Sequence, residues 1–284
     1  MRAVGVIPAR YASSRFPGKP LADLRGRPLV QHVYERARRS KTLARVVVAT
    51  DDLRIRDAVV AFGGEVQLTG LHHPSGTDRV AEVAASLSCE IVVNIQGDEP
   101  LIEPPMIDEA VSPFFVESDL IMGTVCRRLE KEEEWQSPHV VKVVRDRRGF
   151  ALYFSRAPIP YVKVEGREGR VEGENTFLTP DTGSLALPGV APSLVESTVQ
   201  TPGPQLSTLS SQLFCYKHIG LYVYRRDFLL KLASLAPTPL EETEQLEQLR
   251  ALEYGYPIRV VETKYDSIGV DTAEDLERIV RIET

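Results

Sequence analysis

Cysteine is scarce in this chain. Three occur in 284 residues, Cys89, Cys126 and Cys215, far apart and without a Cys-x-x-Cys pair or a Cys/His cluster. That spacing excludes a disulfide-stapled scaffold and a structural zinc site, and it fits a reducing compartment. Long apolar runs are missing too. Nothing approaches the ~20 residues of a membrane span, and the apolar stretch in residues 1–8 is too short for a signal peptide. No membrane span is therefore expected, and the cytoplasm is the expected location. An excess of basic charge is also lacking: 34 basic residues against 40 acidic ones give a net charge of −6, which argues against a broad nucleic-acid surface, so no nucleic acid partner is expected. Two phosphate-binding fingerprints are absent near the N-terminus. Gly18-Lys19 invites a P-loop reading, but Ser13 stands where that motif needs its first glycine and Pro20 where it needs Ser or Thr. No Gly-x-Gly-x-x-Gly follows the first apolar run, and no Ser-His-Asp or Cys-His nucleophile set stands out.

The chain does hold a polyanion site of another kind. Residues 4–21 read Val-Gly-Val-Ile-Pro-Ala-Arg-Tyr-Ala-Ser-Ser-Arg-Phe-Pro-Gly-Lys-Pro-Leu. A buried strand breaks at Pro8 and delivers Arg10, Arg15 and Lys19 into one loop, a natural seat for a nucleoside triphosphate. Backbone amides around Ala12, Ser13 and Ser14 add donors. A second apolar strand, Ile91-Val-Val-Asn-Ile, ends in Gln96-Gly-Asp98. In an open α/β sheet, ligands bind at the carboxyl ends of strands, so the two segments point at one crevice.

Apolar runs and helical patterns alternate through the first half. Residues 4–8, 46–49, 66–68, 91–95 and 120–126 read as strands, and 28–40, 53–62, 79–87 and 105–117 as helices. This is the pattern of a doubly wound, mostly parallel α/β sheet of Rossmann-like type. After Pro138 the pattern changes. Segments 140–144, 151–154 and 219–224 read as strands of a smaller mixed or antiparallel lobe, with 147–149 as a turn. The end of the chain returns to α/β: one helix over 241–254, a strand over 258–261, and a closing helix after Asp271. A single domain over 1–284 is expected, with the smaller lobe at about 139–225. Within the lobe, residues 165–212 are rich in Gly, Pro, Ser and Thr without periodicity. Three readings stay open for them: a surface insertion, an interface element or a specificity device.

Asp98 and Asp271 each follow an apolar stretch, so each reads either as a turn or helix cap or as a metal ligand. Asp275 reads as a solvated helix charge. Two carboxylates from distant strand ends, facing a phosphate loop, suit magnesium, which takes oxygen ligands and shares them with substrate phosphates. Arg79 opens a helix in Gly-Thr-Asp-Arg and can pair with a carboxylate or stand on the surface. His218 and Tyr222, at i and i+4 on a strand, share a face beside Gly220. Glu244, Glu247 and Gln248 fall at i, i+3 and i+4 of one helix, a face that is ordinarily only solvated.

Seven stretches in order carry a resemblance: Ile7-Pro-Ala-Arg-Tyr-Ala-Ser-Ser-Arg-Phe-Pro-Gly-Lys-Pro-Leu21, Ser75-Gly-Thr-Asp-Arg79, Asn94-Ile-Gln-Gly-Asp-Glu-Pro100, Ala151-Leu-Tyr-Phe-Ser-Arg156, His218-Ile-Gly-Leu-Tyr222, Glu244-Gln-Leu-Glu-Gln-Leu-Arg250 and Gly269-Val-Asp-Thr272. The chain resembles the 3-deoxy-manno-octulosonate (Kdo) cytidylyltransferases, also called CMP-Kdo synthetases. The resemblance implies a nucleotidyltransferase fold and a reaction of CTP with Kdo that gives CMP-Kdo and pyrophosphate for lipopolysaccharide synthesis. It implies Mg2+ on Asp98 and Asp271, and Arg10 and Lys19 on the β- and γ-phosphates with Arg15 as a third cation. It places Arg79, Gln96, Arg156, His218, Tyr222, Glu244, Glu247 and Gln248 around the sugar acid, and it implies a homodimer formed through the smaller lobe. Three rivals remain in view: a sialic-acid cytidylyltransferase, whose loop continues Gly-Ser-Lys-Gly after the arginine; a sugar-1-phosphate uridylyl- or thymidylyltransferase, which expects Gly-x-Gly-x-Arg; and a catalytically silent nucleotide-binding homologue.

Overall fold

β1 (Ala3–Ala9) is buried along its length except at Pro8. Each buried Val or Ile of such a strand contributes about 1.5–3 kcal/mol. The structure, a computed structural model, describes residues 2–12, 16–162 and 215–282; the segment 165–212 singled out above lies outside them. Short strands β2 (Asp23–Leu24) and β3 (Arg27–Pro28) form a hairpin leading into helix α1 (Leu29–Ala37). Strand and helix then alternate: β4 (Leu43–Thr50), α2 (Leu53–Ala61), β5 (Val66–Leu68), α3 (Gly76–Ser86), β6 (Ile91–Asn94), α4 (Pro104–Val111), α5 (Pro113–Val116) and β7 (Met122–Arg128). The helix expected over 105–117 is two helices. Pro113 has no N–H to offer the preceding turn, so the first helix ends before it.

Among the described residues the main sheet runs β11-β7-β10-β6-β1-β4-β5, where β10 is Tyr216–Arg225 and β11 is Arg259–Glu262. All of these strands are parallel except β10, which lies antiparallel between β6 and β7. The doubly wound, mostly parallel sheet expected from the sequence is present. The third strand expected in the smaller lobe, however, runs through the middle of this sheet. Its residues explain why. Ile219, Leu221 and Val223 join the core on one face, with α1, α4 and the closing helix, while Tyr216 and Tyr224 join the core on the other, with α3. A strand apolar on both faces belongs inside a covered sheet.

The lobe proper is the hairpin of β8 (Lys142–Arg145) and β9 (Ala151–Ser155), with β8 also paired to the first residues of β10. Its turn is where the sequence placed it: the Asp146 carboxylate accepts from the N–H groups of Arg148 and Phe150, and Gly149 takes a φ of 83°. A short helix α6 (Glu132–Gln136) precedes the lobe and α7 (Arg226–Ser234) follows β10. The single helix expected over 241–254 is two, α8 (Pro239–Glu244) and α9 (Gln248–Glu253), because Gln245 takes a left-handed conformation at φ 54°, ψ 49°. The buried pair Glu241–Arg250, with contacts of 2.8 and 2.5 Å, bridges the break. The closing helix is α10 (Ala273–Ile282), and residues 267–270, the stretch that leads into Asp271, form no strand. Among the described residues no helix is long and apolar enough to cross a membrane.

Candidate active site

The crevice opens because β1 and β6 part company at Pro8. The Val6 carbonyl accepts from Ile95 N–H at 3.0 Å. The next rung needs a donor from position 8, and proline has none. Beyond it Gly97 passes so close that a Cβ there would stand 2.7 Å from the Pro8 carbonyl oxygen. Gly97→Ala is therefore expected to push the two strand ends apart, misplacing both Arg10 and Asp98. Displacements near 1 Å cost on the order of 100-fold in rate. Steady-state kinetics check this, and a rate within threefold of the wild type would show that the turn absorbs the methyl group.

Arg10 follows β1, half-buried, and forms no ion pair with another described residue. Ala12 is exposed, and Ser13, Ser14 and Arg15 lie outside the described residues. The loop closes where Gly18 N–H donates to the Tyr11 carbonyl at 2.9 Å, with Gly18 at φ 75°. Lys19 then opens a 3-10 turn, and its Nζ donates to Asp98 Oδ2 at 2.7 Å and to the Val270 carbonyl at 2.9 Å. Asp271 Oδ1 lies 3.5 Å from the same ammonium. Three residues separated by up to 252 positions thus meet, and the Asp98 carbonyl accepts from Val270 N–H at 2.8 Å to fasten the two carboxylate turns together.

Asp271 does not cap α10. Thr272 does: its Oγ1 accepts from Asp275 N–H at 3.2 Å, while the Asp275 carboxylate accepts from the N–H groups of Asp271 and Thr272, each at 3.0 Å. Asp275 is thus a cap rather than a solvated charge, held below the ordinary carboxylate range by these hydrogen bonds against the opposing effect of its burial. The donor set fits magnesium: Asp98 and Asp271 supply hard oxygens, and one cation, the Lys19 ammonium, already lies within reach of both. Among the described residues no cluster of three or more His, Cys, Asp or Glu forms a complete protein cage, which is usual for an ion that shares its ligands with phosphate.

The opposite wall comes from β10. Its ladder with β7 skips two residues between Ile219 and Tyr222, so the side-chain parity survives and His218 and Tyr222 share a face, ring centroids 5.4 Å apart. Thr124 Oγ1 donates to the Leu221 carbonyl, at 2.8 Å, that the bulge releases from the ladder. It therefore accepts from His218 Nε2, 2.9 Å away, which makes the ring a neutral Nε2–H tautomer. Burial pushes this imidazole down to about 3. Its folded value lies below the unfolded one, so His218 contributes stability that is present above pH 6.5 and is lost as pH falls toward 3. The destabilisation caused by His218→Asn is thus expected to shrink by ~1.4 kcal/mol between pH 7.5 and 5.5, measured by urea unfolding. A penalty independent of pH would show that the ring is solvated. Gly220, at the bulge, lies against Gln96, whose amide reaches Asn94 at 3.5 Å. Glu99 adjoins them, its carboxyl raised to about 7 by burial and by the Asp98 charge.

Other candidates have protein partners. Arg79 is fully buried. One guanidinium nitrogen donates to Asp51 Oδ2 at 2.8 Å, and the other contacts Thr69 Oγ1 and the Gly70 carbonyl. Glu244 accepts from Ser155 Oγ at 2.5 Å and Arg156 N–H at 2.9 Å, and Arg156 Nε returns to the Glu244 carbonyl at 2.9 Å. Glu247 accepts from Thr77 Oγ1 at 2.5 Å. Gln248 is buried with its amide nitrogen unpaired. The break at Gln245 corrects the single helix face expected for these three: Glu244 turns to the lobe and Glu247 to α3.

Sequence reasoning passed over Glu99, Thr124 and Lys142. Lys142 carried a signal, a lone cation inside Val-Val-Lys-Val-Val. It is fully buried, donating to the carbonyls of Ser137, Val140 and Arg156 at 2.8, 2.6 and 2.5 Å. Thr124 carried none, since a threonine in an apolar strand reads only as a good strand former.

An α/β sheet with a single inserted antiparallel strand, and a cationic loop that meets two carboxylates at its carboxyl edge, define a nucleotidyltransferase-like protein. A family model described as "Cytidylyltransferase" matches residues 4–264. The chain is 50% identical over 280 residues to the 3-deoxy-manno-octulosonate cytidylyltransferase of Geobacter metallireducens, covering 99% of this chain and 97% of the relative. It is 51% identical over 279 residues to that of Syntrophotalea carbinolica, covering 98% and 97%. A solved structure of CMP:2-keto-3-deoxy-manno-octonic acid synthetase complexed with CTP matches with a TM-score of 0.79 at 37% identity, over 100% of this chain and 98% of that one. The chain belongs to the 3-deoxy-manno-octulosonate cytidylyltransferase family.

Proposed function

We propose that the chain transfers the cytidylyl group of CTP to the anomeric hydroxyl of Kdo, giving CMP-Kdo and pyrophosphate. The hydroxyl oxygen attacks the α-phosphorus and releases its proton to solvent, and the bond to the bridging oxygen of the pyrophosphate leaving group breaks in line. The observation that carries the reading is the meeting of Lys19, Asp98 and Asp271 at the edge of the sheet. Catalysis of this kind is positioning and charge neutralisation and calls for no nucleophilic side chain. Lys19 and Arg10 hold the β- and γ-phosphates and neutralise charge that builds on the leaving group. Asp98 and Asp271 would hold Mg2+, which supplies further positive charge to the triphosphate when bound.

On the acceptor side, Gln96 offers an amide to hydroxyls, and neutral His218 with Tyr222 forms a wall against which the sugar ring packs. Glu244, Arg156, Glu247 and Gln248 shape the far side of that pocket through their mutual and neighbouring contacts. The enzyme acts in the cytoplasm, supplies activated Kdo for lipopolysaccharide, and pairs with a second copy through the smaller lobe, where among the described residues β9 pairs with no strand but β8 and Leu152 is 63% exposed. Pyrophosphate release with CTP, Mg2+ and Kdo tests the reading. Release with N-acetylneuraminate but not Kdo would transfer the activity to the sialic-acid class, and release with neither would leave a silent nucleotide-binding homologue.

A further inference from the structure

Arg54, on the first turn of α2, lies outside the site described above, yet its guanidinium covers one of that site's residues. Its Cζ stands 3.3 Å from the centroid of the Tyr11 ring. The guanidinium has little freedom to leave. Nε and one terminal nitrogen donate to the two oxygens of Asp52 at 3.0 and 2.6 Å, and the same carboxylate caps α2 by accepting Arg54 N–H at 2.8 Å. Asp52 itself donates its N–H to Thr50 Oγ1 at 3.2 Å, at the carboxyl end of β4.

Tyr11 also forms the neck of the cationic loop. Its carbonyl accepts the Gly18 N–H, and its ring lies over Gly18 so closely that a Cβ there would meet ring atoms at 3.2 Å. Gly18 has a φ of 75°, so space and backbone both hold that position to glycine. The two neck residues are flanked by Arg10 on one side and Lys19 on the other. An exposed ion pair between neighbours in sequence has little effect alone. Stacked on Tyr11, it fixes a ring that in turn fixes the neck.

We infer that Asp52, Arg54 and Tyr11 form a brace that sets the neck of the cationic loop, and through it Arg10 and Lys19, to receive the triphosphate of CTP. Arg54 is a positioning residue in this scheme and touches no reacting atom. The inference rests on CTP being the nucleotide, as proposed above. It needs a flat, forked cation rather than any positive charge, because only guanidinium stacks on a ring face while holding a carboxylate with two nitrogens.

The experiment is CTP titration calorimetry on the full chain with Mg2+, joined to steady-state kinetics and thermal melting. Arg54→Ala and Arg54→Lys are each expected to weaken CTP binding about tenfold, with the melting temperature and the KM for Kdo unchanged. Tyr11→Ala should match them, and Tyr11→Phe should bind as the wild type does, since only the ring face is used. If Tyr11→Ala lowers the melting temperature, the exposed Arg54 position decides. CTP binding by Arg54→Ala within twofold of the wild type overturns the brace. Full recovery in Arg54→Lys overturns it as well, reducing Arg54 to a point charge. A wild-type protein that binds CTP but releases no pyrophosphate with Kdo overturns the acceptor assignment alone, because the brace is judged on CTP affinity.

Discussion

Asp98→Asn is expected to slow pyrophosphate release by ~100- to 1,000-fold while leaving the protein folded. The two halves of that expectation come from different atoms. The carboxylate is one of only two that the described residues bring to the Lys19 ammonium, and the amide cannot replace its charge. The fold is spared because the structural link at this position is the backbone: the Asp98 carbonyl accepts from Val270 N–H, whatever the side chain. Lys19 also keeps the Val270 carbonyl and Asp271 as partners. Asp271→Asn should behave alike, since Thr272 and Asp275 do the capping that Asp271 would otherwise be suspected of. Rapid-quench or coupled pyrophosphate assays beside circular dichroism check both variants. Turnover within tenfold of the wild type would remove the residue from the reacting site.

The second large effect falls on stability. Arg79→Met should lower unfolding free energy by about 3–5 kcal/mol, because it strands the Asp51 carboxylate in a largely enclosed position. The double variant Asp51→Asn/Arg79→Met should be less destabilised than the sum of the two single changes, since neither uncompensated charge remains. Urea unfolding of the four proteins makes the cycle, and strict additivity would mean that the pair contributes nothing. Kinetics add a separate reading. Arg79 Nε is buried and without a partner, so the guanidinium keeps a donor that no protein acceptor uses. A rise in KM for Kdo alone would assign it to the sugar carboxylate. Equal changes for both substrates would leave Arg79 as a strut of the loop at Thr69–Gly70.

The parallel strands were legible because each is a short run of Val and Ile bounded by turn residues, and the meeting of the Lys19 loop with Asp98 and Asp271 was legible because strand ends share one edge. What stayed hidden has physical causes. Gln245 breaks a helix without Gly or Pro, through a buried Glu241–Arg250 bridge nine residues long that no local pattern reveals. The insertion of β10 into the main sheet is decided by which faces are covered, a tertiary fact. The partner of Arg79 stands 28 positions away. On β10, period two alone puts His218 and Tyr222 on a common face, and the bulge that could have ruined the parity preserves it only because it adds two residues instead of one.

β10 has one more consequence. Tyr216 and Lys217 hydrogen-bond with β8, while Tyr222 to Arg225 bond with β6. The lobe and the central sheet therefore share a single uninterrupted strand and have no joint at which one could come apart from the other. Amides of the lobe's ladder along β10 should exchange with solvent on the same slow schedule as those of β6, in one cooperative unit. Any breathing that admits a sugar must come from the loops above this strand, since the strand itself can open only by unravelling the middle of the protein.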